Sequence, residues 1–533
     1  MTRNIRQAWP AALLAGALAL APGGAEAQGT NQNLTIGVGG AFTTMDPHFY
    51  NASPNASLSS HVFEPLVVRD ARAALTPGLA ESWRTISDTV WEFRLRAGVK
   101  WHDGRDLTAD DVAFTIARVP NVPNTAGSFG GYVRAISRVE VVNPLTVRIH
   151  TASPHPLLTV ELGSIFIVSR HVGEGAATED YNSGRAAIGT GPYRLVSYSQ
   201  GDRVVMERNG QHWDRPQPWA RVNYRMIGND AARSAALLSG DVDVIDQVPS
   251  SDLARLRRDP RVTISEIESL RMIHVAPDWS RRENPIFVSD TAGRPLATNP
   301  FLDARVRRAL NIAINRTALA ERVMEGTAVP NGQWLPPGLA TYNPNVPVPP
   351  FDPEAARRLL AEAGFPQGFR LTLHTPNDRY PNDSRVAQAV AQMWTRIGVQ
   401  TSIEALPWST FSTRASRQEF GMRLTGWGSS TGEASIALAN VYGTYDRAAR
   451  TGSANSGRYS NPALDALVRR AVSTVDDARR EEMLREAVKM TMEDDASFVL
   501  FQLVNFWAVR KGLTYEPRMD ERTVAMSVRP SAP

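Results

Sequence analysis

Residues 369–406 read FRLTLHTPNDRYPNDSRVAQAVAQMWTRIGVQTSIEAL, and this stretch decides the fold class. Residues 369–374 have the residue types and alternation of a strand. Val386, Ala389, Val390, Met393 and Ile397 then recur at the spacing of one helix face. Gly398 stops that helix, and residues 399–405 resume a strand pattern. Strand, helix and strand in this order make a βαβ unit and argue for an α/β fold.

The flanking sequence repeats the theme. Leu34, Ile36 and Val38 alternate as a strand closed by Gly39-Gly40. Trp91, Phe93 and Leu95 alternate on one face, and Val99-Lys100-Trp101 after a turn at Ala97-Gly98 predicts a hairpin partner. Thr108 opens a helix with Asp110 and Asp111 in its first turn, the arrangement of a capping box. Asp230 is the expected cap of a helix over 231–239, and Asp303 that of a helix facing inward through Val306, Ala309, Leu310, Ala313 and Ile314. Asp352-Pro353 and Asn461-Pro462 start two further helices, and residues 498–509 read as buried strand. There is no internal repeat and no low-complexity linker, so domains are expected to interweave.

A chain of 533 residues exceeds one ordinary core, so two or three domains are expected. Arg3 and Arg6, the apolar run from Ala8 to Ala21, the breakers Pro22-Gly23-Gly24 and the small residues of Ala25-Glu26-Ala27 read as a signal peptide, residues 1–27, cut after Ala27. The apolar run is shorter than the ~20 residues needed to span a bilayer. The chain has no cysteine, which excludes disulfides, thiol catalysis and a lipid-bearing cysteine at the cleavage site. A soluble periplasmic protein, not membrane-embedded, is expected. The 58 basic and 54 acidic residues are well mixed, with no basic stripe carrying interleaved aromatics, so nucleic acid is not an expected partner. The nine histidines form no metal-ligand spacing, so neither metal nor cofactor is expected from the protein's own ligands. A metal carried inside a chelating solute stays open.

One catalytic pattern occurs. Gly428-Ser429-Ser430-Thr431-Gly432 fits the Gly-x-Ser-x-Gly elbow after a strand. The required downstream histidine is missing, because the last histidine is His374. A serine without a base is a weak nucleophile, so no catalytic residues are assigned and an enzyme is not expected.

Several short motifs occur in a fixed order. They are Pro77-Gly78-Leu79-Ala80-Glu81-Ser82-Trp83, then Trp91-Glu92-Phe93-Arg94-Leu95-Arg96, then Val99-Lys100-Trp101-His102-Asp103-Gly104, then Leu107-Thr108-Ala109-Asp110-Asp111-Val112. Gly189-Thr190-Gly191-Pro192-Tyr193, the helix start at Asp303, the stretch from Asp352 to Gly364 and Gly426-Trp427 follow. This ordered set resembles the family 5 solute-binding proteins of ABC importers, the peptide, opine and nickel group. The resemblance spans nearly all of residues 34–509. It implies a two-lobed type II periplasmic binding protein fold with an additional inserted domain. Lobe 1 would combine residues 28–50, 189–270 and 495–533, the inserted domain would be 51–188, and lobe 2 would be 271–494. The ligand would sit between lobes that close by hinge motion. Bottom-up, most of these motif residues read as scaffold: Trp83, Trp91 and Trp101 as core of the inserted domain, His102-Asp103-Gly104 as a turn, and Gly189-Thr190-Gly191 as a chain crossing.

The same resemblance points to site residues. Trp408 and Trp427 match aromatic positions that line the cavity of oligopeptide binders. Flat aromatic walls supply burial at little rotamer cost and tolerate varied side chains. Peptide binders place an acid three residues after the Gly-Trp tryptophan, to pair with the α-ammonium. Here that position is Ser430, within Ser429-Ser430-Thr431-Gly432-Glu433. Either Glu433 substitutes, or the ligand is not an ordinary peptide with a free amine. Arg379, beside Tyr380, matches a carboxylate-binding arginine of dipeptide binders, and its fork suits a carboxylate. Arg458 is a second candidate. Ser53, Phe129 and Tyr132 match cavity-facing positions.

The resulting expectation is a monomeric periplasmic binding component that takes a peptide or other small organic solute and delivers it to ABC transporter permease subunits. Opines, glutathione-like thiols, sugars and metallophores are further ligand classes. A peptide-holding, chaperone-like protein is the second class of reading, and a serine hydrolase using Ser430 the third.

Overall fold

The structure is a computed structural model that describes residues 33–125, 127–429, 431–449 and 451–531. The expected leader and Ser430 lie outside the described residues.

The βαβ unit forms where its pattern predicts. Strands Phe369–Pro376 and Val399–Leu406 pair in parallel, from Phe369 opposite Val399 to Pro376 opposite Leu406. Helix Asp383–Arg396 connects them. Val386, Val390 and Trp394 are fully buried against Leu371, Leu373 and Val399, with Ala389 and Met393 packed on the same core. Fully burying side chains of this size stabilises the unit by roughly 1.5–3 kcal/mol each.

This unit is one end of a twelve-stranded sheet. From that end the order runs Val288–Ser289, Phe369–Pro376, Met422–Gly428, Val262–Pro277, Phe498–Arg510, Val244–Ile245, Asn33–Val38, Arg221–Met226, Arg203–Arg208 and Tyr193–Ser199. Val399–Leu406 pairs beside Phe369–Pro376, and Ala328–Pro330 beside Phe498–Arg510. At the far end, Leu34, Ile36, Val222 and Tyr224 form a separate core with Trp507 and Val509.

Two long strands join the ends. Val262–Glu268 pairs with Val504–Arg510, and Met272–Val275 pairs with Phe498–Gln502. Between Glu268 and Met272 the register shifts. There Leu270 donates its N–H to Met519 O at 3.1 Å instead of to the neighbouring strand. An irregularity of this kind bends a strand and raises its local twist.

A four-stranded antiparallel sheet stands apart, ordered Ala80–Ser87, Val90–Leu95, Thr146–Thr151, Ile136–Asn143. Trp91 and Trp101 are buried in its core and Trp83 packs against it. Residues 99–101 do not form the expected hairpin strand. The partners of Val90–Leu95 are Ala80–Ser87 and Thr146–Thr151, and Lys100 makes only a single bridge to Asp106. Both edges of Val90–Leu95 are thus occupied, one by a local and one by a long-range strand, which leaves no edge for residues 99–101.

His102 ends that segment in a structural role. Gly189 donates its N–H to His102 Nδ1 at 3.2 Å, so Nε2 carries the proton and donates to Gly191 O at 3.0 Å. Burial holds this imidazole neutral, with its pKa lowered to about 4. Both glycines press on the end of helix Ser53–Val62. A Cβ on Gly189 would lie 1.7 Å from Val62 O, and one on Gly191 would lie 2.6 Å from His61 O. Thr108, Asp303, Asp352 and Asn461 precede helices as expected. The cap expected at Asp230 is instead Asn229, whose side chain accepts the N–H of Ala232 at 2.9 Å. Two adjacent residues could each cap, and the chain uses the earlier one.

Candidate functional site

A cavity of about 1120 Å³ opens where the two long strands cross the sheet. Its floor is Leu503 to Trp507 of strand Phe498–Arg510, together with Arg271 and Glu521. One wall comes from the start of helix Ser53–Val62 and from residues 247–251. The other comes from the loop after Phe369–Pro376 and from helix Trp408–Ser416.

The first wall presents mostly neutral polar groups and is firmly seated. Asn51, Ser53, Gln247, Ser250 and Ser251 face the cavity from it. The helix behind it is held through His61. Ala525 donates its N–H to His61 Nε2 at 2.9 Å, which leaves Nδ1–H to donate to Ser57 O at 2.9 Å. Burial lowers this pKa to about 4, so the ring stays neutral.

The second wall carries charge. Asp383 accepts the N–H groups of Arg379 at 3.2 Å and Tyr380 at 3.1 Å, which fixes the turn that aims both side chains. Burial raises the Asp383 pKa. Asp378 accepts the N–H of Trp408 at 2.7 Å and so ties helix Trp408–Ser416 to the same loop. The Arg379 guanidinium is exposed and lies 5.4 Å from the ring centres of both Tyr380 and Trp408. The rings meet edge-on at 6.2 Å. Two aromatic faces hold a guanidinium in place without neutralising it. Among the described residues, no carboxylate lies within ion-pair distance of Arg379.

Glycines on strand Met422–Gly428 make room for this wall. A Cβ on Gly426 would meet the Tyr380 ring at 2.9 Å, and one on Gly428 would meet the Arg271 guanidinium at 3.1 Å. The Tyr380 hydroxyl donates to Gly426 O at 3.1 Å. Side chains alternate along a strand, so Trp427 points to the opposite face. There it sits across from Met272 and packs on the core of Trp334, Leu438 and Tyr442.

Arg271 is half of a pair that spans the register shift. It donates to Glu521 at 3.0 Å, and the Ser269 hydroxyl donates to the same carboxylate at 3.2 Å. The attraction of Glu521 raises the Arg271 pKa. Glu521 adopts φ 63°, a left-handed backbone that a non-glycine residue holds only when its surroundings fix it.

Of the expected site residues, the cavity therefore gathers Ser53, Arg379, Tyr380 and Trp408. The other described ones sit elsewhere. Ser429 closes a turn, its hydroxyl accepting the N–H of Gly432 at 3.0 Å. Glu433 is buried and faces Arg480 at 3.4 Å, with a pKa raised by burial. Phe129 is buried between His48 and Tyr132. The Tyr132 hydroxyl accepts from Asn51 at 3.2 Å, one residue behind the first wall. Arg458 stacks on Tyr445 at 3.8 Å and does not line the cavity. Sequence reasoning missed Arg271, Glu521, Asn51 and residues 247–251. The first two carry no local spacing signal, because they are brought together only by the strand crossing. Among the described residues, no group of three or more potential metal ligands occurs, and no helix is long and apolar enough to cross a membrane.

With this geometry in place, comparison with known proteins is consistent across the chain. Residues 74–449 match the model of the bacterial extracellular solute-binding proteins, family 5 Middle. Heme-binding protein A of Haemophilus influenzae is 29% identical over 467 residues, covering 82% of this chain and 80% of the relative. The glutathione-binding protein GsiB of Salmonella typhimurium is 28% identical over 498 residues, covering 91% of each chain. The solved structure of HbpA2 from Haemophilus parasuis superposes with a TM-score of 0.81 at 24% identity, over 94% of this chain and all of that one.

Proposed function

Since this chain belongs to the family 5 bacterial extracellular solute-binding proteins, we propose that it binds a peptide or peptide-like organic acid whose carboxylate is received by Arg379. Members of this family are the substrate-binding components of ABC importers and not enzymes. The observation that carries the ligand reading is the unpaired Arg379 guanidinium, held against Tyr380 and Trp408 in the wall of a cavity of about 1120 Å³. Arginine offers a planar fork that matches a carboxylate. A cavity of this volume slightly exceeds the upper range of drug-sized pockets, which suits a short peptide or a molecule of similar bulk. Glutathione and heme, the ligands named in two relatives, are both carboxylic acids.

The solute reaches the site between two lobes. The assignment we adopt is residues 28–50, 189–270 and 495–533 for lobe 1, 51–188 for an inserted domain, and 271–494 for lobe 2. It is supported by separate cores at the two ends of the sheet and by the register shift between Glu268 and Met272, next to the 270/271 boundary. Closure about that shift would bring the neutral and charged walls onto the solute and present both lobes to the permease. The leader read at residues 1–27 supports export to the periplasm, and the absence of cysteine supports a protein without a lipid anchor.

A thermal-shift screen of short peptides, opines, glutathione and sugars tests this reading. Peptides or peptide-like acids should raise the melting temperature with concentration. The best of them should bind Arg379→Ala about tenfold or more weakly by calorimetry, the scale of losing a hydrogen bond to a charged group. Sugars as the sole stabilisers, or unchanged affinity in Arg379→Ala, would overturn it.

A further inference from the structure

The charges around the cavity are unequally committed. Four carboxyl groups line it: Asp230, Asp246, Glu325 and Glu521. Asp230 pairs with Arg233 at 2.7 Å, Glu325 with Arg385 at 3.3 Å and Glu521 with Arg271 at 3.0 Å. Asp246 is buried, and its two oxygens accept the Gly39 N–H at 2.8 Å and the Thr523 hydroxyl at 3.0 Å. Asp378 and Asp383, the acids nearest Arg379 along the chain, are used on backbone N–H groups. Arg379 alone among the arginines lining the cavity has no carboxylate partner among the described residues.

We infer that the solute presents a carboxylate to Arg379 but no free ammonium to the cavity, so that it is an N-blocked or amine-free peptide-like acid. The inference rests on the reading of Arg379 given under Proposed function and narrows the ligand class within it.

The physical reason is the cost of an unpaired charge. An ammonium taken out of water needs a carboxylate beside it. Asp246 is buried with both oxygens occupied, so here the ammonium could obtain one only at Asp230, Glu325 or Glu521, in competition with Arg233, Arg385 or Arg271. Each exchange frees a guanidinium for every ammonium it neutralises, so the site gains no compensation. A carboxylate at Arg379 displaces nothing and neutralises the one lining arginine that has no carboxylate partner among the described residues. The Glu521 pair is also the harder to break, because Ser269 donates to the same carboxylate and Gly428 leaves the space in which Arg271 lies. Glu433, the acid nearest Ser430 in sequence, is buried against Arg480 and outside the cavity lining.

Three pools of random tripeptides test this on the full-length mature protein. One has free termini, one is N-acetylated with a free carboxylate, and one is N-acetylated and C-amidated. Each is offered at the same total concentration, and retained species are read by native mass spectrometry and then by calorimetry. The N-acetylated acids should be retained at least as well as the free-amine peptides. The doubly blocked pool should bind about tenfold or more weakly. If acetylation weakens binding about tenfold while amidation also does, the inference falls and the carboxylate reading stands. If amidation changes nothing, the carboxylate reading falls and takes the inference with it. Retention from no pool overturns both.

Discussion

The two walls of the cavity are built on different principles. One presents hydroxyl and amide groups from Asn51, Ser53, Gln247, Ser250 and Ser251. It is seated by backbone packing, since Gly189 and Gly191 press on the end of its helix and a neutral His61 ties that helix to Ala525. The opposite wall presents a guanidinium between two aromatic rings and is held by side chains, with Asp378 and Asp383 fixing the loop. Neutral groups on a rigid frame can meet many solute shapes at little energetic difference. A localised charge discriminates strongly, because its partner must arrive in one place. Recognition should therefore divide, with the charged wall choosing the chemical class and the neutral wall accommodating the remainder.

Substitutions can break or sharpen that division. The largest effect should come from Gly189→Ala, which brings a Cβ within 1.7 Å of Val62 O and must shift backbone against backbone. We expect a loss of about 3 kcal/mol or more in stability, seen as a lower urea midpoint or failure to accumulate. An unchanged midpoint would mean that the neutral wall is not seated through this crossing. Next is Trp408→Ala, which removes one of the two rings beside Arg379 and should weaken binding of an acidic solute several-fold, about 0.5–1.5 kcal/mol, by calorimetry. The smallest effect should be Ser53→Ala on the exposed neutral wall, within about twofold in affinity. If Ser53→Ala cost more than Trp408→Ala, the division of labour would be reversed.

Much of the fold could be read from short windows of sequence. The βαβ unit at 369–406 and the helices after Asp303, Asp352 and Asn461 obey rules that act within one or two turns. The hairpin expected at 99–101 failed because Val90–Leu95 has Ala80–Ser87 on one edge and Thr146–Thr151 on the other, and the second lies outside any local window. The cap expected at Asp230 moved by one residue because Asn229 offered the same chemistry first. The site divides in the same way. Arg379, Tyr380 and Trp408 come from one compact segment around the βαβ unit, and family resemblance pointed to them together. Trp427 also carried a resemblance, but alternation along its strand turns it toward Met272 and the core while Gly426 and Gly428 face the cavity. Which face of a strand meets a cavity depends on the neighbouring strands, and these come from distant sequence. Arg271 and Glu521 are the extreme case, joined across 250 positions.

The pairing of Val262–Pro277 with Phe498–Arg510 has a consequence in time as well as in space. A chain that becomes available in order holds Val262–Pro277 with an open edge until residues 498–510 arrive. An open edge is a template for association with other chains, and closure over so long a separation is slow. The cavity floor, from Leu503 to Trp507, and the Glu521 partner of Arg271 arrive together in that last interval. Binding competence is therefore gained late and in one step, and a chain cut short before residue 498 loses the floor of its site along with the strand that unites the two ends of the sheet.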